Sequence, residues 1–271
     1  MKKPDFIIIG VQKAGTTALK YYLNQHPNIF MYPDEVHYFD IQLHRGDEWY
    51  LRRFPNDSRV VGEKTPGYIY HEHAVKHLRR LCPDTKLIVL LREPVSRAYS
   101  EYKMLRLNGS EKREFEDVVF RNGEVFERCD CIKRGAYVDQ LKRLYSYFPK
   151  GQVLVLKSED LRKDKQREVD KVTDFLGVER FPLLDDTDRH KGGEVRWKWL
   201  NYITGFFATL RGFNKKRSRV VQYICTKIVR ITKGINKRKG YKPMKEETKE
   251  RLTEYFNEKN KELYEMGGIR W

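Results

Sequence analysis

A chain of 271 residues with 55 Lys and Arg against 38 Asp and Glu carries a formal charge of +17. Its length and low mean hydropathy of −0.75 fit one large globular domain or a domain with a helical extension, and no apolar run approaches a membrane span. The four cysteines, Cys82, Cys129, Cys131 and Cys225, form no disulfide framework, and Cys129-Asp130-Cys131 lacks the second pair that a zinc site needs. Free thiols fit a reducing compartment. With no signal peptide in view, the chain is expected in the cytoplasm, free or peripheral to a membrane. Excess positive charge selects anionic partners, and on charge alone nucleic acid, an anionic lipid surface, an acidic glycan and a nucleotide stay open. The excess is concentrated: Arg211 to Lys242 holds twelve Lys or Arg and no Asp or Glu.

Phe6-Ile7-Ile8-Ile9 reads as a short strand that breaks at Gly10. Val11 to Thr17 then form a loop, and a helical pattern runs from Ala18 to about Gln25, before Pro27. Strand, glycine-bounded loop and helix in that order make an anion site, because a helix N-terminus offers unpaired N–H groups and the positive end of a dipole. Thr16 or Thr17 is expected to cap the helix, and Lys13 lies inside the loop. Gly10 to Gly15 has the spacing of a Walker A loop, but Thr16 follows Gly15 and the lysine stands at position 13 instead. With this displaced cation, Gly10 to Leu19 resembles the 5′-phosphosulfate loop of sulfotransferases that use 3′-phosphoadenosine 5′-phosphosulfate (PAPS). The likeness is greatest to the carbohydrate branch, which includes heparan sulfate sulfotransferases and bacterial relatives.

Asn28 to Met31 reads as a second strand, ended by Pro33. In an extended Asp34-Glu35-Val36-His37-Tyr38-Phe39-Asp40, alternation puts Glu35, His37 and Phe39 on one face. A carboxylate beside an imidazole near a phosphate loop makes a general-base pair; a polar turn is the other reading. The resemblance extends here, since the family carries a Glu-Val-His-Phe-Phe-Asp stretch whose glutamate is the proposed base. It therefore implies that Glu35 takes the acceptor proton, with His37 and Asp40 in support. Trp49, Tyr50 and Phe54 follow at helical spacing as core or wall. Val60-Val61-Gly62 then delivers Glu63-Lys64-Thr65-Pro66. Ligands of a parallel sheet gather at the carboxyl ends of its strands, so Lys64 is expected on the same rim as Lys13. A lone lysine is otherwise a solvated charge; the resemblance implies that this one faces the sulfuryl group.

His71 to Leu81 is an amphipathic helix, and Lys86 to Leu91 is a strand buried on both faces. Arg92-Glu93-Pro94 leads into a helix with Pro94 in its first turn. An Arg and a Ser near a helix start suit a phosphate, while Arg97 has Glu101 at i+4 as an ion-pair partner. Arg92, Pro94, Arg97, Ser100 and Tyr102 resemble the 3′-phosphate motif of PAPS enzymes, which implies that Arg92 and Ser100 bind that phosphate. Glu114 to Arg128 is expected as a polar helix, Ala136 to Phe148 and Asp164 to Leu176 as amphipathic helices, and Val153 to Leu156 as a strand. Arg189-His190-Lys191-Gly192-Gly193 is either an ordinary turn or, by resemblance, a basic glycine loop in which Lys191 and Gly192 close the nucleotide site.

Trp197, Leu200, Ile203, Phe206, Phe207 and Leu210 form one apolar helical face. Val220, Val221, Ile224, Ile228 and Ile231 form a second, studded with Lys and Arg. Both packing on the domain and binding of anionic lipid or a polyanionic acceptor fit such a segment. Thr248 to Met266 reads as one last helix. Asn257 to Leu263 and Trp271 resemble the C-terminal block of bacterial sulfotransferases.

The expected fold is α/β, with a P-loop-like, mainly parallel sheet of four or five strands flanked by helices. It forms a single domain over 1–271, of which 194–271 is a basic helical extension. The resemblance implies sulfuryl transfer from PAPS to an acceptor hydroxyl, most readily on a carbohydrate. In it Lys13, Ala14, Gly15, Thr16 and Thr17 hold the 5′ phosphate, Lys13 and Lys64 neutralise charge on the sulfuryl and bridging oxygens in place of a metal, and no nucleic acid partner is involved. An anionic membrane surface is a further expected partner of 211–242. A P-loop kinase of a small molecule and a non-catalytic polyanion- or membrane-binding protein are the rival classes.

Overall fold

Runs of Ile, Val and Leu too short for a helix and apolar on both faces set the central sheet. The computed structural model describes residues 1–185, 187, 193–195, 198–213, 219–239 and 243–271. Its strands are β1 (Phe6–Gly10), β2 (Ile29–Met31), β3 (Val60–Lys64), β4 (Lys86–Leu91), β5 (Phe120–Arg121), β6 (Glu124–Val125), β7 (Val153–Lys157), β8 (Gly193–Val195) and β9 (Lys237–Lys239). Its first six α-helices are α1 (Thr16–Leu23), α2 (Asp47–Leu51), α3 (Glu72–Leu81), α4 (Pro94–Asn108), α5 (Phe115–Val119) and α6 (Asp130–Lys133). The others are α7 (Tyr137–Tyr147), α8 (Ser158–Lys163), α9 (Lys165–Leu176), α10 (Lys198–Phe213), α11 (Arg219–Asn236), α12 (Glu246–Lys259) and α13 (Leu263–Gly267). The chain divides into two compact units, Met1–Arg97 with Arg134–Arg189 and Phe256–Trp271, and Ala98–Lys133 with His190–Tyr255.

The first unit holds a five-stranded parallel sheet in the order β2-β3-β1-β4-β7, flanked by helices. Every residue of β1, and all of β4 after Lys86, is buried. The chain leaves β1 toward β2 and β3 on one side and later enters β4 on the other. That reversal opens a crevice at the carboxyl ends of β1 and β4. The loop after β1, the end of β3 and Arg92 after β4 all fall on this rim. Gly10 ends β1 where a β-carbon would meet Ile69 Cγ2 at 2.4 Å, so only glycine fits beneath the loop.

Several boundaries differ from the sequence expectation, each for a local reason. Helix α1 starts at Thr16, not Ala18. Gly15 is the N-cap with φ 95°, and no side chain caps the helix, so neither threonine does. Residues 34–37 form no strand, and His37 has φ 52°, which breaks the alternation, with Phe39 in the core. The helix expected over Glu114–Arg128 stops at Val119, because Asn122 (φ 50°) and Gly123 (φ 80°) form the two-residue turn that joins β5 to β6. The last helix breaks into α12 and α13 at Asn260.

Asn260 explains that break. Its Oδ1 accepts from the backbone N–H of Tyr137 at 2.8 Å, and its Nδ2 donates to the Gly135 carbonyl at 2.8 Å. It thus caps α7, whose own N-cap, Ala136, has no side-chain oxygen. The Tyr137 hydroxyl in turn donates to the Arg92 carbonyl at 2.7 Å. Trp271 lies against the Tyr137 ring, and its Nε1 donates to Glu159. The C-terminal segment therefore braces the strand end that carries Arg92.

In the second unit, Tyr99 and Tyr102 of α4 pack on Phe115, and Thr248 of α12 donates to Glu116 of α5. Helix α10 packs against α11. Leu200 and Thr204 of α10 and Cys225 and Val229 of α11 are buried. Of the two apolar faces read from the sequence, Trp197 lies outside the described residues, and Ile203, Phe206, Val220, Ile224 and Ile231 are exposed. Thr204 and Cys225, which belong to neither of those faces, are buried beside Leu200 and Val229.

Replacing Asn260 with Ala leaves the buried Tyr137 N–H without its partner. Urea unfolding is expected to show a loss of about 1–3 kcal/mol; an unchanged midpoint would mean that α7 needs no external cap.

Candidate active site

The loop after β1 turns through two left-handed residues, Lys13 (φ 73°) and Gly15 (φ 95°), before α1 begins. Arg92 fixes it from the far side: its Nη1 donates to the Lys13 carbonyl at 3.0 Å. The Arg92 Nε is buried without a hydrogen-bond partner. Burial first, and then the like charge of Arg162, lower the pKa of the Arg92 guanidinium. An uncapped helix N-terminus and a buried guanidinium with an unused donor suit two separate anionic groups.

Lys64, the last residue of β3, is buried at the rim and faces the loop. Its Nζ donates to Thr17 Oγ1 at 3.1 Å and to Glu35 Oε1 at 2.5 Å. The other Glu35 oxygen pairs with His37 Nε2 at 3.2 Å, and His37 Nδ1 meets Asp40 Oδ2 at 2.9 Å. One polar chain thus runs Thr17–Lys64–Glu35–His37–Asp40. Burial pushes the Glu35 carboxyl up, but the hydrogen bonds from His37 and Lys64 outweigh it and hold it at about 2. Hydrogen bonds to Asp40 and then to Glu35 raise the His37 imidazole to about 10, against a smaller opposing effect of burial. At neutral pH the segment therefore holds a carboxylate between two cations.

A second, fully buried network lies beneath this one. Glu63 accepts from the Tyr50 hydroxyl at 2.7 Å, the Thr65 hydroxyl at 2.8 Å and the Tyr68 hydroxyl at 3.3 Å. The Thr65 oxygen accepts from the N–H groups of Val36 and His37, and the Tyr68 oxygen from that of Tyr38. These bonds pin the backbone of the Glu35–His37 segment to the end of β3. Strand alternation sends Lys64 to the rim network and Glu63 to the buried one. Burial raises the Glu63 carboxyl to about 7 despite its three donors.

The first unit thus brings Lys13, Gly15, Thr17, Glu35, His37, Asp40, Lys64 and Arg92 onto one rim, with Ala14 and Thr16 buried within the loop and helix start. Glu35 and His37 do meet, through the left-handed turn at His37 and not through strand alternation. Ser100 lies on α4, in the second unit. Lys191 and Gly192 lie outside the described residues. Glu63, Tyr50, Thr65 and Tyr68 were not singled out from the sequence, nor was Arg134, whose Nη1 donates to Gln12 Oε1 in the loop at 2.9 Å. The alternation Glu63-Lys64-Thr65 was the one available signal for the buried network.

The family described as "Sulfotransferase domain" matches residues 3–264. The chain belongs to the sulfotransferase family. It is 30% identical over 270 residues to the mouse heparan sulfate glucosamine 3-O-sulfotransferase 3A1, covering 98% of this chain and 63% of that protein. Against the human heparan sulfate glucosamine 3-O-sulfotransferase 6 it is 30% identical over 269 residues, covering 98% of this chain and 72% of that one. The chain thus spans between about three fifths and three quarters of these relatives' lengths. Among solved structures, a sulfotransferase from Alicyclobacillus acidocaldarius superposes with a TM-score of 0.62 at 26% identity, covering 82% of this chain and 100% of that one. The sulfotransferase domain of a Synechococcus PCC 7002 olefin synthase shares the fold, with a TM-score of 0.51 at 19% identity over 69% of this chain and 78% of its own.

Glu63 gives the protein a pH signature. Its carboxyl is higher in the folded chain than the ordinary 4.5, so the protonated form favours folding. That stability is fully present below about 4.5 and is lost as pH rises through about 7. The shift corresponds to roughly 3 kcal/mol. Unfolding free energies of the parent are expected to fall between pH 4.5 and 6.5, and those of Glu63→Gln to be flatter across that window. Parallel curves would mean that Glu63 does not titrate there.

Proposed function

We propose that the protein transfers a sulfuryl group from PAPS to a hydroxyl of a carbohydrate acceptor, with Glu35 as the general base. The observation that carries this reading is the Glu35 carboxylate held by Lys64 beside an uncapped helix N-terminus. Membership of the sulfotransferase family supports the donor, and relatives named for heparan sulfate support a carbohydrate acceptor.

The transfer forms a bond from the acceptor oxygen to sulfur and breaks the bond from sulfur to the bridging phosphate oxygen. The acceptor proton passes to Glu35, and the electron pair of the broken bond leaves with 3′-phosphoadenosine 5′-phosphate. At about 2, Glu35 is too weak a base while it holds Lys64. When the Lys64 ammonium turns to the sulfuryl and bridging oxygens, charge there is neutralised and one of the two cations quenching Glu35 is withdrawn. One lysine thereby links donor binding to base strength. His37, anchored by Asp40, keeps Glu35 oriented.

The first-turn N–H groups of α1, Thr16, Thr17 and Lys13 receive the 5′ phosphate. Arg92 receives the 3′ phosphate. The residues present fit such a donor: the helix start lacks a side-chain cap, and the Arg92 Nε lacks a partner.

Glu35→Gln is expected to lower turnover by about two to four orders of magnitude while nucleotide binding persists. Unchanged turnover would move the base elsewhere. In thermal unfolding, 3′-phosphoadenosine 5′-phosphate at about a hundredfold over its Kd is expected to add about 2.7 kcal/mol. ADP should add much less, and Arg92→Ala should lose the difference. Equal shifts from both nucleotides in the parent would remove the 3′-phosphate role of Arg92.

A further inference from the structure

Helices α10 and α11 each turn an apolar stripe outward. On α10, Trp199, Ile203 and Phe206 recur at i, i+4 and i+7, which is one side of a helix. Trp199 is 61% exposed and Phe206 62%. On α11, Val220, Ile224, Ile231 and Ile235 recur at i, i+4, i+11 and i+15, again one side, with Val220 67% exposed. The opposite sides, with Leu200, Thr204, Cys225 and Val229, are already buried. The outward side chains are therefore surplus to the packing of the second unit.

The charge around them has one sign. From Val195 to Lys245 the sequence has fifteen Lys or Arg and no Asp or Glu. Lys227 and Arg230 are exposed on α11 and, at about 100° per residue, lie along one edge of its apolar stripe. No helix among the described residues is long and apolar enough to cross a membrane.

We infer that α10 and α11 lie on an anionic lipid bilayer, in the plane of its surface. Trp199, Phe206, Ile224 and Ile231 enter the boundary between headgroups and acyl chains, and Lys227 and Arg230 meet the phosphates and carboxylates of the lipids. Aromatic and branched side chains beside cations are the chemistry that such an interface takes. A sulfated polysaccharide would satisfy the cations and leave the apolar stripes in water. A second copy of this chain would oppose like charges. Only a surface that is both apolar and anionic uses both features. The inference does not depend on the proposed transfer reaction.

Co-sedimentation of the full chain with vesicles tests it. Binding is expected to vesicles of phosphatidylserine and phosphatidylcholine, and much less to phosphatidylcholine alone. Two variants separate the contributions, and both alter exposed side chains. Lys227→Gln with Arg230→Gln should weaken partitioning about thirtyfold, from about a fivefold contribution per cation. Ile224→Gln with Ile231→Gln should weaken it while leaving heparin affinity unchanged. Circular dichroism and thermal unfolding should match the parent for both. Failure of the parent to sediment with anionic vesicles would overturn the inference. So would full vesicle binding by the isoleucine variant, which would assign the segment to a soluble polyanion. A parent dimer that the isoleucine variant dissolves would assign the face to a second copy and equally overturn it.

Discussion

Lys64 is the residue on which the rim depends. Its ammonium is buried, and such a charge is stable only when paired. Glu35 supplies that pairing, and Thr17 in the first turn of α1 accepts a second hydrogen bond. The same ammonium therefore ties the helix start after β1 to the segment after β2. A neutral side chain there would leave the Glu35 carboxylate with His37 alone and the Thr17 hydroxyl without its donor. The ion pair is also a reactive arrangement held in reserve, because a carboxylate at about 2 takes no proton at neutral pH. In the proposed reaction, an anionic donor competes with Glu35 for Lys64. Catalytic strength then appears only when the donor is in place.

The buried network beneath serves position rather than charge. Glu63 collects three hydroxyls, and two of them, on Thr65 and Tyr68, accept backbone N–H groups from residues 36–38. A segment with a left-handed residue at His37 has no ladder of its own to hold it. Side-chain oxygens take the place of that ladder. Burial holds the carboxyl near 7 even so, and the hydroxyls that it collects are themselves fixed by the core.

Much of this was legible in the sequence, where one residue type had one physical use. The strand Lys86–Leu91 is bounded directly, since a five-residue apolar run, Leu87–Leu91, ended by Arg-Glu-Pro has few other fates. Gly10 and Gly15 marked the loop, and Pro94 the start of α4. The nearness of Glu35 and His37 was also read correctly, but from a strand alternation that the backbone does not have. A positive φ at a histidine leaves no mark in composition or spacing. Tyr50, Tyr68 and Asn260 were unreadable as partners, because their contacts join residues that only the tertiary fold brings together. Asn122-Gly123 was readable and was overridden by the apolar spacing on either side of it.

The displaced lysine of the first loop acquires a meaning from its neighbour across the sheet. Lys13 has a left-handed backbone, which costs energy in a residue with a β-carbon. Arg92 offsets that cost by donating to the Lys13 carbonyl, and Tyr137 holds the Arg92 carbonyl in turn. The loop proposed for one phosphate and the guanidinium proposed for the other are thus parts of a single hydrogen-bonded frame, braced by Asn260 from the C-terminal segment. In a Walker A loop the lysine follows the second glycine, on the helix itself. Here it precedes that glycine, and its carbonyl accepts from Arg92 at the end of β4. Both ends of a bisphosphorylated nucleotide would then be met by one preorganised unit, whose geometry is fixed before any ligand arrives.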